Sequence, residues 1–536
     1  MSDKPKPSPS LTGIAGIVAL ATLISKLFGF LREVAVATAF GVGPVVIANT
    51  YAYVVPGFLL ILLGGINGPF HSALVSVLAK RDKSEAAPLV ETVSTIVSGV
   101  LLLVTIILIL FAGIFIDIQA PGLDPTTRNL AIQQLQIMAP LALFAGLIGI
   151  GFGTLNASDQ YWLPSVSPLF SSLSVILGLG GLALFLRENI NAPEYAQLGG
   201  IVLAIGILAG GIWQWLAQQI ALWRSGLGKL RLRFNLNIPG VKDVLKIMAP
   251  ATFSSGMLQI NVYTDLYFAS FIPMAAAAMR YGNLIVLTPL GIISNTILVP
   301  LLPVFSKLTA PENWPELKNR IRQGLLLSAL TMLPLTAIFV SLSVPIVKAI
   351  YQRGAFNQEA SNVVAPVLMA YGFGMFFYLG RDVLVRVFYA LGDGETPFRI
   401  SIINIFLNAL LDWVLVTPFK TPGLIFATIS VNIISTIVFL WILHRRLNGL
   451  PLGEWSLSLL ILTGISAIAG LSSWGVSWCW DKWIGSGNFL ILILQVSLSG
   501  LVALGVFALL VTRLRLPEVD ILVSRLRQKF GKRVSS

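Results

Sequence analysis

Residues 11–40 read LTGIAGIVALATLISKLFGFLREVAVATAF, thirty residues without a proline and with apolar side chains on every face. As an α-helix rising 1.5 Å per residue, this stretch is longer than the ~30 Å hydrocarbon layer of a bilayer, so it predicts a membrane span. Three charged residues lie inside it, Lys26, Arg32 and Glu33. A charge near the bilayer centre costs about 2.5 to 3.5 kcal/mol on insertion scales, so a lipid-facing helix would carry none. Together they predict a polar cavity beside the helix, and the excess of cations predicts that something anionic passes there.

The pattern continues to the far end of the chain. Of 536 residues, 56% are hydrophobic and only 11% charged, and the mean hydropathy is +0.85. No soluble domain has this composition. Apolar runs of span length recur, and because they are continuous rather than alternating they predict helices, not barrel strands. Breaks rich in charge, Gly, Pro or Asn divide the chain into about fourteen spans, beginning near Gly13, Val45, Leu89, Thr127, Pro164, Leu198, Pro239, Ala275, Glu316, Ala360, Thr396, Gly423, Trp455 and Asn488. The fold class is an all-α polytopic membrane protein.

The net charge of +13 is confined to short loops and the tail, which points to membrane topology and away from nucleic acid. With a cytoplasmic N-terminus, the inside loops collect Arg81 and Lys83, Arg224 to Arg233, Lys307 to Arg322, Arg445 with Arg446, and the tail from Arg513. Both termini are then cytoplasmic, which requires an even number of spans. The polar start has no small-residue cleavage pattern after it, so the first helix is expected to be retained. Cys479 alone excludes an internal disulfide and a thiolate cluster.

An internal duplication is visible. The fourth span ends Leu155-Asn156-Ala157-Ser158-Asp159 with Pro164 following, and the tenth ends Tyr389-Ala390-Leu391-Gly392-Asp393 with Pro397 following. Six spans separate them, as in two six-helix lobes related by a parallel repeat around a central cavity, with two further C-terminal helices. The expected division is a cytoplasmic N-terminus over 1–12, a first lobe over 13–223, a basic cytoplasmic loop over 224–238 and a second lobe over 239–448. Helices thirteen and fourteen follow over 449–512, and a basic cytoplasmic tail over 513–536.

Four motifs resemble a known family. Phe28-Gly29-Phe30-Leu31-Arg32-Glu33, followed by Phe40-Gly41, is similar to the first-helix signature of the MurJ (MviN) lipid II flippases. These belong to the multidrug/oligosaccharidyl-lipid/polysaccharide exporter superfamily. Tyr351-Gln352-Arg353-Gly354-Ala355-Phe356, Thr296-Ile297-Leu298-Val299-Pro300 and Phe388 to Pro397 agree in order. The resemblance implies a non-enzymatic flippase in the bacterial inner membrane. It would carry undecaprenyl-pyrophosphoryl disaccharide pentapeptide to the outer leaflet by alternating access, for peptidoglycan synthesis, with the cell-wall machinery as a partner. Another polyprenyl-linked glycan is the alternative, and a non-transporting scaffold a third.

A pyrophosphate cannot cross hydrocarbon bare, and an Arg guanidinium donates two hydrogen bonds to it at once. Arg32 is thus the leading headgroup ligand and Lys26 a second cation. Lys26 and Glu33 share a helix face while Arg32 sits about 100° round, so Glu33 is expected to hold Lys26 or a cation from another helix. The family's second-helix basic residues have no counterpart in Pro56-Gly57-Phe58-Leu59-Leu60-Ile61, and its second-helix acid falls at Ile47. Its eighth-helix arginine aligns with Leu284, leaving Arg280, one turn earlier, as the substitute. On the tenth helix Asp382 and Arg386 are spaced for an intrahelical pair. Arg381 is then a further cavity candidate.

Asp265, Asn408, Asp412 and Thr428 offer carboxylate, amide and hydroxyl oxygens inside apolar spans, the hard ligands of a small cation, with the backbone near Leu424 completing the shell. With the family resemblance they predict a Na⁺ site coupling transport to an ion gradient. Protons on Asp265 or Asp412, or plain interhelical hydrogen bonding, are the alternatives. Neither His71 nor His444 has metal-ligand or triad spacing, and no glycine-rich phosphate loop is present. Glycine pairs such as Gly180-Gly181 and Gly199-Gly200 read as close helix contacts.

Overall fold

The computed structural model describes residues 11–65, 68–78, 81–257, 260–485 and 489–514. The polar residues 1–10, and the basic tail beyond residue 514, lie outside them. Among the described residues the regular structure is entirely helical.

By its contacts the chain forms two units, Met1–Ala277 with Arg353–Phe356, and Ala278–Gln352 with Asn357–Ser536. The first is built from α1 (Leu11–Phe40), α2 (Pro44–Gly64), α3 (Pro69–Leu78), α4 (Lys83–Leu110), α5 (Ala112–Gln119), α6 (Pro125–Met138), α7 (Leu141–Ala157), α8 (Trp162–Val166), α9 (Leu169–Leu186), α10 (Ala196–Arg224), α11 (Val241–Met257) and α12 (Ile260–Ala269). The second holds most of α13 (Ala275–Ser306), then α14 (Trp314–Ser341), α15 (Ser343–Tyr351), α16 (Gln358–Ala390), α17 (Glu395–Arg446), α18 (Leu452–Trp483) and α19 (Phe489–Arg513).

Among the described residues ten helical segments are long and apolar enough to cross a membrane, or eleven if α6 and α7, bent by 40° where they meet, make one broken span. α17 counts once in that number, yet at Lys420 it leaves helical geometry (φ 52°, ψ −132°). Pro418 and Pro422 bracket the break, each removing a helical N–H donor. Asp393, just before the helix, reaches Arg446 at its last residue, so the two halves run back along one another. Splitting α17 there, and adding α1 and the α11–α12 segment, accommodates the fourteen spans expected.

Between lipid-solvated helices there is little hydrophobic drive to associate, so close approach and polar links hold the bundle. In the first unit α9 packs on α10 and α2 on α6 and α7; in the second α14, α16 and α17 form a layer, with α18 on α14 and α19. A Cβ on Gly199 would meet the Phe40 ring at 2.6 Å, and one on Gly200 would meet Gln134 at 2.9 Å, so this pair is a close contact as expected. Gly180 and Gly181 face open space, so theirs is not. His71 meets Asn156 at 2.9 Å, and His444 Nδ1 accepts the Leu450 N–H at 2.9 Å; both are packing residues at helix ends.

Two of the sequence motifs meet in the first unit. The Ala355 N–H donates to the Thr38 carbonyl at 2.8 Å, joining the 353–356 loop to the end of α1. Gly41 (φ 57°) and Gly354 (φ 55°) are both left-handed, and a Cβ on either would strike the facing segment's carbonyl, Ala355 O or Thr38 O. Only glycine fits either position.

The duplicated turn is real at the backbone level, but its register differs from the sequence match. After α7 the Gln160 N–H closes on Leu155 O, with Asp159 left-handed (φ 60°); after α16 the Asp393 N–H closes on Phe388 O, with Gly392 left-handed (φ 73°). Both are six-residue helix stops of the Schellman type. Helix ends Ala157 and Ala390, left-handed residues Asp159 and Gly392, and prolines Pro164 and Pro397 all lie 233 residues apart. Asp393 therefore corresponds to Gln160, not to Asp159. The shared aspartate letter misaligned the turn by one residue.

Candidate functional site

Lys26 is exposed on α1, Arg32 is half-buried one and a half turns on, and Glu33 is buried. The Arg32 guanidinium folds back on its own neighbour, with Nε and Nη2 donating to Glu33 Oε1 at 3.1 and 2.8 Å. Glu33 thus holds Arg32, its own sequence neighbour. Adjacent residues diverge by about 100° at Cβ, but the four-bond arginine side chain is long enough to wrap that arc. The pair removes one net charge from the span while leaving three of the five guanidinium N–H donors unused by Glu33.

The second unit contains two other candidate cations. Arg280 is half-buried in the second turn of α13, which opens after the left-handed Met274 (φ 62°). Arg381 is half-buried on α16, with Nη1 3.5 Å from Asp382 Oδ1 and its Nε buried without a hydrogen bond. Asp382 thus meets Arg381, its sequence neighbour, as well as feeling the charge of Arg386. In both steps the arginine turns to the adjacent acid, with two hydrogen bonds in Arg32-Glu33 and a looser 3.5 Å contact in Arg381-Asp382.

The oxygen set is gathered on the α17 hairpin. Asn408 Nδ2 donates to Asp412 Oδ2 at 2.9 Å, and the Thr428 hydroxyl lies 3.3 Å from both Asn408 Oδ1 and the Leu424 carbonyl. Asn408 and Asp412 are fully buried. Asp265, the fourth residue of the set, is half-buried on α12 in the first unit. The seam runs further than the sequence reading saw. Asn432 Nδ2 donates to Thr428 O at 2.8 Å, and the Ser435 hydroxyl to Asn404 Oδ1 at 3.0 Å. Asn404, Asn408 and Asp412 recur every four residues on one half, so an i, i+4, i+8 polar row in an apolar helix was the missed signal. Carboxylate, amide, hydroxyl and carbonyl oxygens within one buried cluster are the donor chemistry of a hard cation.

Comparison with known proteins places the chain. The family model "Lipid II flippase MurJ" matches residues 36–495. A "Probable lipid II flippase MurJ" of Synechocystis sp. is 63% identical over 532 residues, covering 99% of this chain and 100% of that one. A "Lipid II flippase MurJ" of Burkholderia cenocepacia is 27% identical over 472 residues, covering 84% and 88%. Among solved structures, "Lipid II flippase MurJ, inward closed conformation" superposes with a TM-score of 0.73 at 22% identity, covering 93% of this chain and 99% of that one. An inward-facing multidrug resistance MATE family transporter superposes with a TM-score of 0.59 at 17% identity, covering 81% and 98%. At such identities the structural likeness speaks for the fold. The 63% identity and the family match over most of the length speak for more: the chain belongs to the lipid II flippase MurJ family.

Proposed function

We propose that this protein carries lipid II, undecaprenyl-pyrophosphoryl disaccharide pentapeptide, from the cytoplasmic to the outer leaflet of the bacterial inner membrane by alternating access, supplying peptidoglycan synthesis. Both termini are cytoplasmic, and the cell-wall synthesis machinery is its partner. The observation that carries the reading is the half-buried Arg32, held by Glu33 yet with donors to spare, in a chain that matches the family along its length. Arg32 binds the pyrophosphate, with Lys26, Arg280 and Arg381 as further cations, while the polyprenyl tail stays in lipid. Losing a charge-assisted hydrogen bond costs about 1.5 to 3 kcal/mol, so Arg32→Ala should slow flipping about tenfold or more. The test is depletion of the native protein, assay of precursor accessible at the outer leaflet, and rescue with wild type or Arg32→Ala. Normal outer-leaflet precursor after depletion would sink the assignment. α2 contains no Lys or Arg, which favours a different polyprenyl-linked glycan as the second reading.

Asn408, Asp412 and Thr428 form a Na⁺ site that couples transport to an ion gradient. The buried oxygen cluster on α17 supports this. Thermal stability should rise in Na⁺ over K⁺ in wild type and lose that response in Asp412→Ala. Equal behaviour in the two salts would count against Na⁺.

A further inference from the structure

Between α10 and α11 the sequence from Lys229 to Asn237 alternates without a fault: Lys, Leu, Arg, Leu, Arg, Phe, Asn, Leu, Asn. No acidic residue occurs from Arg224 until Asp243. The segment is neither helix nor strand, and its even-numbered side chains stand out from the protein, with Leu230 71%, Leu232 80%, Phe234 78% and Leu236 50% exposed. Four large apolar groups in a row, unburied by their own chain, call for a nonaqueous neighbour.

The other side of the segment is fixed. The Lys229 N–H donates to Glu91 Oε1 at 3.1 Å and the Arg233 N–H to Thr95 Oγ1 at 3.1 Å, while Arg233 Nε lies 3.2 Å from Glu91 Oε2. Glu91 and Thr95 sit one turn apart on α4. These anchors fix the height of the segment. Beyond Glu91 the apolar run of α4 continues to Leu110, about 30 Å at 1.5 Å per residue, which is one hydrocarbon thickness. Glu91 therefore marks a membrane boundary, and the segment pinned to it lies in the headgroup layer. Glu91 neutralises Arg233, leaving the exposed Lys229 and Arg231 to face whatever is there.

We propose that residues 229–236 are an interfacial anchor: Leu230, Leu232, Phe234 and Leu236 enter the lipid beside α4, and Lys229 and Arg231 hold anionic phospholipid headgroups. Basic residues beside a membrane-level apolar row fit an anionic lipid surface by charge and by position. The anchor is independent of the proposed transport activity.

The test uses the full chain with Cys479→Ser and a single cysteine at Leu232→Cys, labelled with a polarity-sensitive bimane. The protein is reconstituted in phosphatidylcholine bilayers with or without about 30% phosphatidylglycerol. Blue-shifted emission, at least halved by doxyl lipids and stronger with phosphatidylglycerol, is the expected result. Lys229→Glu with Arg231→Glu should abolish the phosphatidylglycerol dependence. Emission that is red-shifted and quenched by aqueous iodide would overturn the proposal. Protection from both quenchers would mean that protein covers the row, and would overturn it too. Phe234→Cys repeats the measurement if the first variant fails to elute as a single species.

Discussion

The turn after α7 and the turn after α16 share a backbone but not a chemistry. In the first, Gln160 Nε2 donates to the Ser225 hydroxyl at 2.8 Å, tying the turn to the end of α10. In the second, Asp393 accepts the Thr396 N–H at 3.0 Å, the Thr396 hydroxyl at 2.8 Å and Arg446 Nη1 at 2.7 Å, tying the turn to the end of α17. Corresponding residues thus fasten corresponding turns to the end of the helix two spans later, once through a neutral amide and once through an ion pair. A repeat preserves where a link is made before it preserves what the link is made of. Only the second link can respond to protonation.

The largest expected difference follows from removing each fastener. Asp393→Ala loses a helix cap and a partly exposed ion pair, about 2 to 3 kcal/mol together, while Gln160→Ala loses one neutral hydrogen bond, about 1 kcal/mol. Thermal melting of the purified variants should rank them in that order; equal losses would break the comparison. The pH response is next in size. Burial pushes the Asp393 carboxyl up, but the Thr396 bonds and the Arg446 guanidinium outweigh it and hold the carboxyl below its ordinary 3.8. A depressed carboxyl contributes its stability above the unfolded value and loses it as pH falls through the lower folded one. The melting gap between wild type and Asp393→Asn should therefore be open at pH 6 and close below about pH 4, whereas Gln160→Ala should keep a constant gap. Smallest is the exchange of the left-handed residue. Gly392→Asp, which copies the first turn, should cost at most about 1 kcal/mol, because aspartate tolerates that conformation better than most side chains.

What could be read from the chain alone follows the size of each energetic penalty. Lys26, Arg32 and Glu33 stood out because a charge in hydrocarbon is expensive, and the helical class and approximate number of spans followed from uninterrupted apolar length. The partner of Arg32 did not, because a helical wheel tracks Cβ directions and ignores the reach of a long side chain. The same error missed the contact of Arg381 with Asp382 behind the Asp382–Arg386 spacing. Asn404, Asn432 and Ser435 went unnoticed because a neutral amide or hydroxyl perturbs an apolar run far less than a carboxylate does. The duplication was seen but misregistered, since matching letters at Asp159 and Asp393 concealed that one holds a strained backbone and the other caps a helix.

The Asp393–Arg446 link also sets an order of events during synthesis. Its ends are 53 residues apart, so at about 5 to 20 residues per second the carboxylate leaves the ribosome roughly 3 to 10 s before its partner does. The first half of the hairpin must enter the membrane without that tether. Arrival of Arg446 then closes the loop around both spans, so the pair becomes a single mechanical piece only when its last turn has been made.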